Sequence, residues 1–364
     1  MVDTFIYLFA FVFVLSVVVV VHEWGHFIVA RLCGVKVTHF SVGFGKVLWH
    51  RTDKKGTVWQ VCALPLGGYV KMLGDEDAAS ATSSKKGIKK EDEKYMFAAQ
   101  SLWKKAAIIV AGPGMNYVFA ILLLTGIFFF VGKAVWPPVI GGFGENSAAE
   151  EAGMQIGDKF LDINGLPIEQ YHDVLRIVRL TEFGKDLTVT VDRGGEQLVF
   201  NLKPRVFDDS VPRIGIYAAP EKIVMDENLS LAQSFKEATI NVYTITVDTL
   251  AYLGQVLFHN RSADDMRGPL GIAEAAGDSL KGGAMSLLLF IVNISVAIGF
   301  MNLLPVPVLD GGHLVFYAIE GVIRRPIPER IQNSLLWGGM ALLFGLLAFT
   351  MYLDIPRIAQ RIFG

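Results

Sequence analysis

The 364-residue chain has little cysteine: Cys33 and Cys62 are its only two. Two cysteines exclude a disulfide-rich scaffold and a four-cysteine zinc site. Neither sign of charge dominates. Lys and Arg total 33 against 35 Asp and Glu, for a formal net charge of -2. Without a global basic field, nucleic acid is excluded as a partner. The internal repeats typical of transporters are also missing. Four stretches contain no charged residue: 4–21, 106–132, 282–309 and 331–353. Each is long enough to cross the hydrocarbon core of a bilayer. The whole chain agrees, with 52% hydrophobic residues and a mean hydropathy of +0.44, more apolar than a usual soluble domain.

The first stretch is preceded by Asp3 instead of a basic start, and it lacks a small-x-small cleavage site. It is expected to stay as a span and not to be removed as a signal peptide. Between spans one and two lie Arg31, Lys36, Lys46, Arg51, Lys54, Lys55, Lys85, Lys86, Lys89, Lys90, Lys94, Lys104 and Lys105. Arg324, Arg325 and Arg330 follow span three. Short basic loops stay in the cytoplasm, so both termini and 133–281 are expected outside. The division is 1–33 (span one), 34–105 (a cytoplasmic, membrane-associated β-hairpin region and charged loop) and 106–132 (span two). It continues with 133–206 (a small β-rich domain), 207–281 (a linker and amphipathic helix), 282–312 (span three), 313–330 (a cytoplasmic loop) and 331–364 (span four with a short tail). Glycine-rich alternation over 34–77 predicts short strands and tight turns, and 78–95 reads as a solvated, mobile loop. DVLRIVRL has helical spacing, and a hairpin is predicted around Arg193-Gly194-Gly195. Ser230 with Gln233 is a capping-box signal. Beyond it Leu231, Phe235, Ala238, Val242 and Ile245 share one helical face, predicted to rest on the outer membrane surface or on the spans.

Span one runs straight into His22-Glu23-Trp24-Gly25-His26. Residues four apart share a helical face, so both imidazoles can reach one metal with Glu23 beside them. Two imidazoles suit Zn²⁺ and leave room for a third ligand and a water. The carboxylate can take a proton from that water and pass it to a leaving amine. Three ionisable side chains in a membrane helix are costly and normally functional. The run Phe27-Ile28-Val29-Ala30 precedes Arg31, so at about 1.5 Å per residue the histidines sit roughly 7–13 Å below the cytoplasmic rim.

Asp310 is the best third ligand. Spans one and three run in the same direction, which brings Asp310 to the depth of the histidines. Pro305 and Pro307 break helical bonding there, as is tolerated where backbone lines a polar cavity. Asn302, on the same segment, is a candidate substrate contact. His39, His50, His172, His259 and His313 read as ordinary surface or packed histidines, with His313 the nearest to the site in sequence. A helical substrate must be unwound before its peptide bond is accessible, and strand addition to the 56–72 hairpin would do this. Val58, Val61, Gly67 and Gly68 are the tentative contacts.

HEWGH and NLLPVPVLDGG resemble the site-2 protease family of intramembrane zinc proteases. VGFG, LPLGGYVKMLG, AGPGMN and GPLGIA resemble its bacterial regulator-of-sigma-E branch. The resemblance covers nearly the whole chain. It implies His22, His26 and Asp310 as zinc ligands and Glu23 as catalytic base. The implied fold is a membrane α-helical protein of four transmembrane helices, with a cytoplasmic-side β region and one extracytoplasmic β-rich PDZ domain carrying AGMQIGD and FLDINGLPI. Many relatives carry two such domains in tandem, and this chain has room for one. The resemblance further implies a multi-pass protein of the bacterial inner membrane. Its substrates would be single-span membrane proteins, such as a pre-trimmed anti-sigma factor or remnant signal peptides. A peptide or protein would bind the PDZ domain, for which Val139-Ile140-Gly141-Gly142 is a candidate carboxylate-binding loop. The rival readings are a PDZ-bearing membrane scaffold or chaperone with a structural zinc, and an ion or metal transporter.

Overall fold

The computed structural model describes residues 2–74, 88–181, 184–206, 212–219, 224–258 and 267–363. In chain order they form α1 (Val2–Leu32), β1 (Val37–Thr52), β2 (Val58–Met72), a 3-10 turn (Lys90–Tyr95), α2 (Leu102–Phe130), β3 (Lys133–Val135) and β4 (Ile140–Phe143). There follow α3 (Ala148–Glu151), β5 (Lys159–Ile163), β6 (Leu166–Pro167), α4 (Tyr171–Leu180), β7 (Leu187–Arg193), β8 (Glu196–Leu202), β9 (Arg205–Val206), β10 (Pro212–Arg213), β11 (Ile216–Ala218) and β12 (Val224–Asp226). The chain ends with α5 (Leu231–Phe258), α6 (Pro269–Lys281), α7 (Ala284–Leu303), α8 (Asp310–Ile323) and α9 (Glu329–Phe363). Two compact units result, 1–123 with 267–364, and 124–266. Of the expected loop 78–95, residues 78–87 lie outside the described residues and 90–95 form the 3-10 turn.

Four helices are long and apolar enough to cross a membrane: Phe5–Leu32, Leu102–Phe130, Ala284–Leu303 and Arg330–Pro356. The protein is therefore a multi-pass membrane protein. The third span is shorter than its uncharged run suggests. Helix α7 stops at Leu303, because Pro305 and Pro307 supply no N–H to continue it. Val308 then adopts a φ of 96°, a strained conformation for a β-branched residue. The chain folds back so tightly that a Cβ on Gly311 would meet the carbonyls of Leu303 and Leu304, and one on Gly312 that of Val306. Asp310 thus opens a new helix and does not end the old one. Most of the expected loop 313–330 is that helix, closed by Arg324 in a left-handed turn (φ 54°).

Helix α6 was not visible in the sequence. It packs on α1 and α9. The buried Asp354 of α9 accepts the backbone N–H groups of Gly268 and Gly271 at 3.2 and 2.9 Å. A carboxylate there satisfies donors that a helix start leaves without partners and complements its dipole.

The 34–77 region is one long β1–β2 pair with repeated register shifts. Residues 68–72 pair with 37–42, and 58–61 pair with both 39–42 and 49–52. Gly43 permits one shift, with a φ of 85° and a position where a Cβ would press on the Leu64 backbone. The sheet rests on α1 through Trp24, Phe27, Phe40 and Trp59, whose ring centroids lie 4.7–5.9 Å apart. Its far turn is tied to the end of α1. Asp53 accepts bonds from Arg31, from Trp59 Nε1 at 3.1 Å, and from the N–H groups of Lys55 and Thr57 at 2.8 and 3.0 Å. Burial alone would push the Asp53 carboxyl up, but these donors outweigh it and hold it well below the usual carboxylate range.

In the second unit the sheet order is β6-β5-β7-β8. Its core holds Phe160, Ile163, Val174, Leu187, Val189 and Val191. The predicted helix appears as α4, and the predicted hairpin pairs Arg193 with Glu196. The expected linker is partly structural: β10, β11 and β12 pair with β9, β4 and β3. Strands of two or three residues are too short to display a period. Arg193 holds the Asp158 carboxylate through Nε and an Nη at 2.7 Å each. Burial would raise that carboxyl, but Arg193 and the Gln155 N–H leave it below its ordinary range. Helix α5 begins at the expected cap, where Gln233 N donates to Ser230 Oγ and Ser230 N to Gln233 Oε1. Of its predicted face, Ala238 and Val242 are buried while Leu231 and Phe235 are exposed.

Candidate metal centre

Helix α1 continues unbroken through its apolar run and presents His22 and His26 one turn apart, both buried. Asp310, at the start of α8, meets them. Its Oδ2 lies 3.1 Å from His22 Nε2 and 3.6 Å from His26 Nε2, and the two Nε2 atoms are 3.2 Å apart. Among the described residues this is the group of metal-binding side chains close enough to share an ion.

The donors fit zinc. Tetrahedral ligands at 2.0–2.2 Å from zinc stand about 3.3–3.6 Å from one another, close to the triangle observed. His26 Nδ1–H donates to the Ile108 carbonyl at 2.8 Å, which leaves the Nε2 lone pair free. Asp310 Oδ2 is buried without a hydrogen-bond partner. An unpaired buried carboxylate oxygen is costly unless something electropositive meets it. An ion held by these three residues would keep a coordination position open.

The triad opens on a cavity of about 240 Å³, which Glu23, Val70, Asn302, Val308 and His313 also line. The Val70 N–H bonds the Glu23 carboxylate, so the strand edge at 68–72 faces the site. Gly68 is beside Glu23: a Cβ there would stand 3.7 Å from Glu23 Cγ. Gly67, with a φ of 106°, lies against the Phe44 ring and does not line the cavity. Val58 and Val61 are elsewhere. Each is paired on both sides within the sheet and neither lines the cavity, so the free edge is not where the alternation of TVWQV suggested. His313 does reach the cavity, unlike His39, His50 and His172. His259 lies outside the described residues.

Close helix packing sets this geometry. A Cβ on Gly25 would strike the Ala111 carbonyl, and one on Gly112 would strike the His26 ring. Small residues at such crossings let membrane helices approach. The sequence offered AGPG as its only sign of this role.

A second cavity, of about 580 Å³, lies in the other unit between α4 (Val174, Leu175, Val178, Arg179) and residues 212–217. The 139–142 stretch does not line it. Residues 140–142 belong to β4, whose partner is β11.

The model of peptidase family M50 matches residues 10–346. Atu1380 of Agrobacterium fabrum, which carries the name of a zinc metalloprotease, is 37% identical across 97% of this chain and 96% of its own. Metalloprotease MmpA of Caulobacter vibrioides is 34% identical across 98% and 97%. Among solved structures, the PDZ domain of an SdrC-like protein from Listeria monocytogenes covers 24% of this chain and 95% of its own, at 14% identity and a TM-score of 0.22. A family match over nearly the full length, with a His-His-Asp cluster fit for zinc, places the chain in peptidase family M50, the site-2 family of zinc metalloproteases.

Proposed function

We propose that the chain is an intramembrane endopeptidase of the regulator-of-sigma-E type, with zinc held by His22, His26 and Asp310. The observation that carries this is the meeting of the three ligand atoms from α1 and α8, in one cavity with Glu23. Zinc held there would supply Lewis acidity for the scissile carbonyl and the attacking water. Glu23 takes the proton from that water and delivers it to the leaving amine nitrogen. The Val70 N–H aims the carboxylate. Asn302, on the cavity wall, offers an amide to the substrate backbone.

The substrates we propose are single-span proteins cut within their membrane segment, a trimmed anti-sigma factor or a remnant signal peptide. The basic stretches after spans one and three support a catalytic centre near the cytoplasmic face, with 133–281 outside. The 133–206 region, to which β10 and β11 pair, is read as a PDZ domain. Its groove between α4 and 212–217, which Glu145, Arg179 and Arg213 line, suits a peptide. In detergent, the purified chain is expected to cleave a single-span reporter, to stop when zinc is chelated, and to recover when one equivalent is returned. Cleavage that persists in a zinc-free sample rules the reading out.

The outer edge of 68–72 is proposed to receive the unwound substrate as an added strand. Proline scanning across 68–72 is expected to slow cleavage, with zinc content unchanged. An unaltered rate of cleavage refutes strand addition at this edge.

A further inference from the structure

A histidine ligates through one ring nitrogen, and the bond donated by the other nitrogen fixes its tautomer. His26 has such a partner in the Ile108 carbonyl. His22 has Asn116 of α2. The carboxamide Nδ2 lies 3.4 Å from His22 Nδ1, while its Oδ1 is buried with no hydrogen-bond partner. In that orientation the amide donates to Nδ1, and the imidazole proton resides on Nε2. A proton on Nε2 blocks coordination by the nitrogen that faces His26 and Asp310. Half a turn about the Cβ–Cγ bond exchanges the amide's two nearly isosteric ends. Oδ1 then accepts from His22 Nδ1–H, Nε2 keeps its lone pair, and the buried oxygen gains a partner.

We propose that Asn116, in this turned orientation, is a positioning residue that holds His22 in its metal-binding tautomer. The rest of Asn116 is built for a fixed role. It is fully buried. Ser295 Oγ of α7 donates to its backbone carbonyl at 2.9 Å. A Cβ on Gly299 of α7 would sit 3.2 Å from the Asn116 Cβ, so the two helices fix the position of the amide. A buried asparagine in a membrane helix more commonly bridges helices. Here that bridge uses the backbone carbonyl, and the side chain is left for His22.

This inference rests on the metal reading of the triad, and the experiment separates the two. Zinc dissociation constants are measured on the full chain in detergent by competition with a chromophoric chelator. A wild type that binds no zinc refutes the metal reading. Asn116→Leu is expected to bind zinc about 10–100-fold more weakly, the usual cost of losing a partner behind a ligand. The zinc-free variant should keep the wild-type circular dichroism and melting temperature, which a merely structural role would not allow. Asn116→Asp, which still offers an acceptor, should hold zinc almost as tightly as wild type. Its cobalt form should keep the visible d–d absorption of the wild-type site. Wild-type affinity in Asn116→Leu overturns the proposal, and so does an Asn116→Asp that loses as much affinity as the leucine variant. If Asn116→Leu does not fold, Asn116→Ala takes its place in the same comparison.

Discussion

Glu23→Gln is expected to keep its zinc and lose its activity. Glu23 shares the cavity with the triad, yet the close cluster comprises His22, His26 and Asp310 alone. Removing its charge therefore takes away no ligand. What is lost is a basic oxygen able to take a proton from water, since an amide has almost no basicity at neutral pH. General-base catalysis contributes typically about 10²–10⁴-fold, and the rate should fall by at least that much. Gln is nearly isosteric with Glu, and its carbonyl oxygen still accepts the Val70 N–H, so the fold should be untouched. Zinc content and cleavage rate, measured on one preparation, give the answer. A glutamine variant that cleaves at the wild-type rate removes Glu23 from the mechanism. One that loses zinc along with activity assigns Glu23 a ligand role instead. In cells, membrane fragments that accumulate only with this variant would identify the substrates.

The parts of this molecule that sequence reveals are those with a strong period or a costly residue. Uncharged runs of about twenty residues have few fates, and the four spans were visible for that reason. HEWGH was visible because ionisable groups are expensive inside a membrane, and Asp310 because span direction fixes its depth. What stayed hidden depends on contacts between distant segments. The hydropathy of α7 does not end where its helix ends, so the turn at 304–309 was covered by an uninterrupted apolar run. Only the prolines marked it. The β1–β2 register could not be read, because residues 58–61 pair on both sides and a bent strand keeps no single alternation. Asn116 and Gly112 were visible only as letters of AGPGMN, for a helix crossing leaves no mark on the composition of either helix.

Gly112 allows that crossing to be tested with one methyl group. Propensity alone says that Gly112→Ala should help, since glycine in a helix interior costs about 1 kcal/mol relative to alanine. The site says otherwise. The added Cβ would stand 2.5 and 2.8 Å from His26 Cε1 and Cδ2, and closer still to Nε2. Either the ring or the helix must move. Moving α2 is resisted by Gly25, which already lies against the Ala111 carbonyl, and overpacking of this kind costs about 1–3 kcal/mol. Rotating the ring breaks the bond to the Ile108 carbonyl and swings Nε2 off the triangle. The expected result is zinc affinity at least about tenfold lower, the scale of a lost partner behind a ligand, with cleavage falling in step. Gly114, two residues on in the same helix, has nothing within 4 Å of its Cβ position. Gly114→Ala should therefore keep zinc and activity and melt slightly higher. If both alanines behave alike, the close approach of α2 to His26 does not set the metal geometry.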